Sequence, residues 1–79
     1  MRVTGAPTLY TPAGVRPIEP FNVAITYDIA THTCTAVTVS GRGEPNPRNY
    51  RERSGIIRRR VEPDDAPLWV ADLIEEHRP

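Results

Sequence analysis

The clearest alternation of apolar and polar positions in the chain is FNVAITYDI, residues 21–29. Phe21, Val23, Ile25, Tyr27 and Ile29 alternate with Asn22, Ala24, Thr26 and Asp28, the two-residue period of a strand with one buried face. CTAVTVS, residues 34–40, repeats the pattern, with Thr35, Val37 and Val39 opposed to Cys34, Ala36, Thr38 and Ser40. The link ATHT is short, so residues 21–40 are expected to form an antiparallel β-hairpin.

The period changes toward the C-terminus. In PDDAPLWVADLIEEHRP the residues Trp69, Val70, Leu73, Ile74 and His77 share one helical stripe, with Asp72, Glu75 and Glu76 opposite. Asp64 or Asp65 is placed to cap the first turn, and Pro67 falls near the first helical positions, where a missing N–H costs nothing. An amphipathic helix is therefore predicted within 64–78, with its core at 66–77. Trp69 is expected to be its largest contribution to the core, over Val23, Ile25 and Val37, worth about 2–3 kcal/mol of burial.

The remaining segments are less regular. Residues 1–20 hold prolines at 7, 12, 17 and 20. Proline removes ladder donors, so this stretch reads as extended or edge-like rather than as a central strand. A short hairpin is conceivable there, bent at Pro12-Ala13-Gly14, with Leu9, Val15 and Ile18 touching the core. GRGEPNPRNYRERSG, 41–55, reads as a long loop on its glycines, prolines and asparagines. IIRRRVE, 56–62, returns to a β-prone pattern, with Ile57 and Val61 flanking Arg59 on one face and Arg58 and Arg60 on the other. It suits an edge strand, where arginine also opposes edge-to-edge aggregation. The sum is a single small α+β domain over 1–79: a two- to three-stranded antiparallel meander covered by one C-terminal α-helix.

Length limits what such a domain can bury. A chain of 79 residues has little interior, and its stability is expected to be marginal without a staple. Cys34 is the only cysteine, so no disulfide forms within one chain. Cys34, His32 and His77 lack the paired spacing of a zinc site. A homodimer, or docking on a larger partner, would supply the missing burial. No apolar run reaches the length of a membrane span, and MRVTGAPTLYTPAG has no continuous apolar core of the signal-peptide kind. The expectation is a cytoplasmic protein without a cofactor and without membrane contact.

Charge changes the picture more than composition does. The chain is neutral in sum, with every basic residue an arginine and no lysine, a bias that a GC-rich coding genome explains most simply. Yet residues 42–60 carry net plus five and residues 61–79 net minus five. RNYRERSGIIRRR, 48–60, holds six arginines around Tyr50.

Catalytic chemistry has little to stand on. His32 and Cys34 sit beside a hairpin turn with no third orienting group, so they read as an exposed turn histidine and a small sheet cysteine. The adjacent pairs Asp64–Asp65 and Glu75–Glu76 diverge around a helix, whereas acid–base pairs converge across a cleft. No glycine-rich phosphate loop occurs. A non-enzymatic binding protein is expected.

The candidate site is Arg48, Tyr50, Arg51, Arg53, Arg58 and Arg60. Three readings apply to it. It is a solvated or internally paired basic surface, a docking surface for a protein partner with an acidic face, or a nucleic-acid-binding arm. Arginine and tyrosine favour interfaces, and a β-edge can extend a partner's sheet. Arginine also grips phosphate while Tyr50 offers a stacking platform. Whether the acidic helix lies near enough to cancel the arginines decides among them. A small structural or assembly subunit is a further alternative.

APLWVADLIEEHRP, together with YDIATHTCTAVTVSGRG, resembles short uncharacterised proteins of actinobacteria and their phages or mobile elements, which end in a Pro-x-Trp helix followed by His-Arg-Pro. The resemblance covers about half the chain. It implies an accessory-genome origin, where small proteins act by binding a host protein or a nucleic acid, and it implies no fold or site residue.

Overall fold

The two alternating runs pair as an antiparallel hairpin, and the pairing reaches well beyond them. The computed structural model describes residues 1–10, 16–45, 48 and 50–79. In chain order these form β1 (Leu9–Tyr10), β2 (Pro17–Asp28), β3 (Thr33–Gly43), a 3-10 turn at Tyr50–Glu52, β4 (Ile56–Val61), a second 3-10 turn at Pro63–Asp65, and α1 (Leu68–Glu76). The strands make one antiparallel sheet in the order β1-β2-β3-β4. The fold is thus α+β with four strands, where the sequence predicts two or three.

Both extra lengths of strand lie where proline and glycine argue against them. Pro17 opens β2, and Pro20 stands beside an extra residue, since the register steps from Pro20↔Gly41 to Asn22↔Ser40 across Phe21. A strand's first residue and a bulge are the two places where a missing ladder donor is tolerated. The bulge also resets the alternation. It brings Ile18 and Pro20 to the same face as Val23, Ile25 and Tyr27, and it takes Phe21 out of the core-facing series. A second bulge at Thr35 does the same on β3, joining Cys34 to the face of Val37 and Val39. The Thr35 hydroxyl donates to the Thr26 carbonyl at 3.2 Å across that irregularity. Ile29, expected to face inward, lies in the turn and is 77% exposed.

Residues 41–43 belong to β3 rather than to a loop. Gly41 and Gly43 are there for closeness, not for turning. A Cβ at Gly41 would stand 2.3 Å from Ile18 Cγ2, and one at Gly43 would stand 2.8 Å from Ile57 Cδ1. Two isoleucines therefore lie across the strand where it has no side chains of its own.

The outer edge of β2 is covered in two pieces. Leu9 and Tyr10 pair with Ile18 and Pro17. Residues 1–3 continue that line, with the Val3 N–H donating to the Phe21 carbonyl at 3.0 Å and the Val23 N–H to the Met1 carbonyl at 2.8 Å. The supposed bend at Pro12-Ala13-Gly14, and Val15 after it, lie outside the described residues. Leu9 and Ile18 are buried as expected of that segment.

One apolar cluster fills the inner face of the sheet: Leu9, Ile18, Val23, Val37, Val39, Ile57, Val61, Val70 and Ile74. The helix supplies only the last two. Trp69 is half-buried at the margin rather than at the centre, and His77 is exposed. The cause is the late helix start. Ala66 precedes Pro67, which disfavours α geometry there, and both residues are extended, so α1 begins at Leu68. No side chain caps it, and Asp64 and Asp65 are used in the 3-10 turn instead. The Tyr27 hydroxyl donates to the Ile74 carbonyl at 2.7 Å, tying the helix to β2.

Substitution should separate close approach from ordinary surface. Gly41→Ala is expected to cost about 1–3 kcal/mol through overpacking against Ile18, read as a lower urea midpoint. Leu68→Ala, at a position 78% exposed, should change the unfolding free energy by about 0.5 kcal/mol or less and leave the midpoint nearly unmoved.

Candidate functional site

Register assigns the arginines of the basic stretch to faces. Val39 and Val37 face the core, and they pair with Arg59 and Val61, so Arg59 points inward between Ile57 and Val61. Thr38, Ser40 and Arg42 face outward, and they pair with Arg60, Arg58 and Ile56. Directly opposed residues share a face. The outer face therefore carries Arg42, Arg58 and Arg60, with Glu19 opposite Arg42, and Arg2 joins them, because it bridges to Asn22, which pairs with Ser40. Arg42, Arg58 and Arg60 enter no ion pair among the described residues.

The segment before β4 extends this surface. Tyr50, Arg51, Arg53, Ser54 and Arg58 line an open hollow. Tyr50 is 78% exposed, and the Arg53 guanidinium lies over its ring at 5.0 Å from the centroid. Four of the six expected residues (Tyr50, Arg51, Arg53 and Arg58) thus come together. Arg60 continues the row along β4, and Arg48 is exposed just before the 3-10 turn.

Glu52, inside the basic run, reaches across to the start of β2. Its carboxylate turns to Arg16 at 3.0 Å, and the same guanidinium donates to the Glu44 carbonyl at 3.2 Å. Arg16 thereby joins the start of β2 to both ends of the β3–β4 connection. Arg16, Glu52, Arg58, Arg59 and Arg60, with Ile18 and Ile57, line a second cleft of 250 Å³ along β4. Within β4, the Nε of Arg59 is buried with no acceptor among the described residues.

Beyond Glu62, which directly follows β4, the acidic segment lies at the other end of the sheet. The 3-10 turn at Tyr50–Glu52 is anchored beside Gly43, through the Gly43 N–H and the Gly55 carbonyl at 3.0 Å. The helix end is anchored at the β2–β3 turn: Arg78 donates to the His32 carbonyl, and His32 Nδ1 lies 2.9 Å from the Pro79 carbonyl oxygen. The eleven residues of β3 separate the two ends, about 30 Å at the usual rise. That is several Debye lengths at physiological salt, about 8 Å each. The helix acids therefore do not cancel the arginines of the Tyr50–Arg53 hollow, and only Glu62, exposed two residues beyond Arg60, stands beside the row on β4.

At the acidic end the side chains serve the fold. Arg78 pairs with Glu75 across one helical turn, at 2.5 Å. Hydrogen bonding and the charge of Arg78 hold the Glu75 carboxyl below its ordinary pKa. Partial burial, with the Cys34 thiol beside it, raises the Tyr27 phenol, against the pull of Arg78. Cys34 donates weakly to the Ala36 carbonyl at 3.7 Å, and it lines a cleft with Asp64, Glu75 and Arg78. His32 faces the chain's end rather than the cysteine. No helix among the described residues is long and apolar enough to cross a membrane.

Sequence reasoning found the arginine–tyrosine run but not its extension to Arg2 and Arg42, nor the inward turn of Glu52. Arg42 was within reach, since Ser40 and Arg42 continue the outward alternation of β3. Arg2 was not, because its place follows from a bridge that no local pattern announces.

The Glu75–Arg78 pair makes a pH prediction. A carboxyl depressed in the folded state stabilises above its unfolded pKa, and that contribution disappears as pH falls through the folded pKa. The NMR titration midpoint of Glu75 should lie below that of an ordinary glutamate, and Arg78→Ala should return it to the ordinary value.

No protein-family model, no curated protein and no solved structure matches the chain.

Proposed function

We propose that the chain is a non-enzymatic binding protein that docks on a protein partner through its basic end, meeting an acidic surface. The observation that carries this reading is the separation of charge. Arg42, Arg58 and Arg60 share the outer face beside the Tyr50–Arg53 stack, while Asp64 and the helix acids Asp72, Glu75 and Glu76 belong to the opposite end. A predominantly basic surface of this kind steers association and selects partners of opposite potential. An exposed tyrosine under a guanidinium is also the composition of an interface anchor. The concrete version is an accessory inhibitor or regulator of the phage or mobile-element type, acting on a host protein.

The Tyr50–Arg53 platform supports a second reading, in which nucleic-acid bases stack there and phosphates meet Arg58 and Arg60. The two differ in what survives nuclease and salt.

Affinity capture from an actinobacterial lysate, with and without nuclease, separates them. The expected result is one protein held at near-stoichiometric ratio after nuclease treatment. An Arg53→Gln/Arg58→Gln/Arg60→Gln variant, with an unchanged circular-dichroism spectrum, should bind it about tenfold to a hundredfold more weakly. Material lost on nuclease treatment transfers the surface to nucleic acid. Equal capture by the variant contradicts docking through this surface.

A further inference from the structure

Resting on the docking reading, we infer that the partner contributes an extended acidic segment that pairs antiparallel or parallel with the free edge of β4, as a fifth strand of the sheet. Three observations converge on that edge.

The first is that it is open and regular. Among the described residues β4 pairs with β3 alone, through six consecutive residue pairs without a register shift. It contains neither proline nor bulge, the backbone devices that close an edge to every partner, and its only guard is the charge of its arginines. The opposite edge is occupied over Pro17–Val23 by β1 and residues 1–3, and beyond Val23 it carries Asp28 and no arginine.

The second is the direction of its backbone groups. The Gly43 N–H bonds to the Gly55 carbonyl, which makes that opposed pair a bonded one. Bonded and non-bonded pairs alternate along an antiparallel ladder. Ile57, Arg59 and Val61 therefore spend their main-chain groups on β3, and Ile56, Arg58 and Arg60 turn theirs to the free side. The two central residues that offer main-chain bonds to a newcomer also carry positive side chains.

The third is the charge along the edge. Arg58, Arg59 and Arg60 line the cleft that follows it, with Arg16 behind them. Glu52, the one acid of that cleft, is engaged with Arg16. The Nε of Arg59 lacks an acceptor among the described residues. Two copies of this strand side by side would oppose arginine to arginine, and like charges directly opposite destabilise a sheet. The same arginines favour a strand whose side chains carry carboxylates. The edge thus rejects self-pairing and admits an acidic guest.

The test uses the full chain with a capped heptapeptide alternating Glu and Val, its Lys-for-Glu counterpart, and oligothymidylate, followed by amide exchange and chemical shifts in NMR. The acidic peptide should bind at a dissociation constant of about 1 mM or tighter, the lysine peptide should not, and the Arg58 and Arg60 amides should gain protection. Arg58→Pro and Arg58→Gln lose the same charge, but only proline removes the outward N–H, so Arg58→Pro should bind about tenfold more weakly than Arg58→Gln. Should Arg58→Pro fail to fold, the protection of wild-type Arg58 and Arg60 decides by itself. Acidic-peptide binding that leaves those amides unprotected overturns strand addition while docking by charge stands. Binding of oligothymidylate without the peptide overturns it in favour of nucleic acid. Binding of neither overturns both the strand addition and the docking reading.

Discussion

The structure depends on two isoleucines lying across two glycines. Ile18 occupies the space over Gly41, and Ile57 the space over Gly43, each closer than an added Cβ would allow. The helix does not reach this end of the sheet with a buried side chain, since its own are Val70 and Ile74 near the other end. The sheet must therefore make its own core there, and it does so by bringing β1, β2 and β4 over the bare stretch of β3. Leu9 and Ile57 join Ile18 in the same cluster as the helix residues. A small chain gains a continuous apolar interior in this way without a disulfide, from side chains that a flat sheet would leave half in water.

That packing has an electrostatic consequence. Because β3 continues in register to Gly43, the connection to β4 leaves from the far end of the molecule, and it takes Tyr50, Arg51 and Arg53 with it. Arg16, paired with Glu52, fixes that connection against the start of β2. The acidic residues follow β4 back to the β2–β3 turn, where Arg78 and the Tyr27 hydroxyl hold the helix. Net charge of zero conceals two poles, and the molecule has a long axis of 41 Å along which to separate them. The half-buried Arg16–Glu52 pair engages one acid of the basic pole, and Glu19, opposite Arg42, and Glu44 remain at its margin. The proposed docking rests on this arrangement, and neutral composition does not count against it.

Much of the framework was legible in sequence. Val23, Ile25 and Tyr27 on one strand, Val37 and Val39 on the next, and Ile57 and Val61 at the edge obey the two-residue period, and the structure keeps them on one face. Val70 and Ile74 follow the helical period equally well. What escaped were features that local rules read in the opposite sense. Pro17 and Pro20 signal an interruption, yet a strand start and a bulge accept them. Gly41 and Gly43 signal a loop, yet here they signal close packing against Ile18 and Ile57, both distant in sequence. Trp69 has the greatest apolar surface on its stripe, but Pro67 delays the helix and leaves the indole at the margin. Of the candidate site, Tyr50, Arg51, Arg53 and Arg58 could be grouped by proximity in sequence. The assignment of Arg59 inward and of Arg58 and Arg60 outward needed register, as did the addition of Arg2 and Arg42.

The separation of the two poles is the claim on which the rest turns. A pulsed electron–electron measurement between spin labels at Ser54→Cys and Glu76→Cys, in a Cys34→Ser background, reads it directly. The account predicts a single distance distribution centred at about 25–35 Å, set by the length of β3. A main population below about 20 Å would mean that the acidic helix folds back over the arginines, and it would contradict the account.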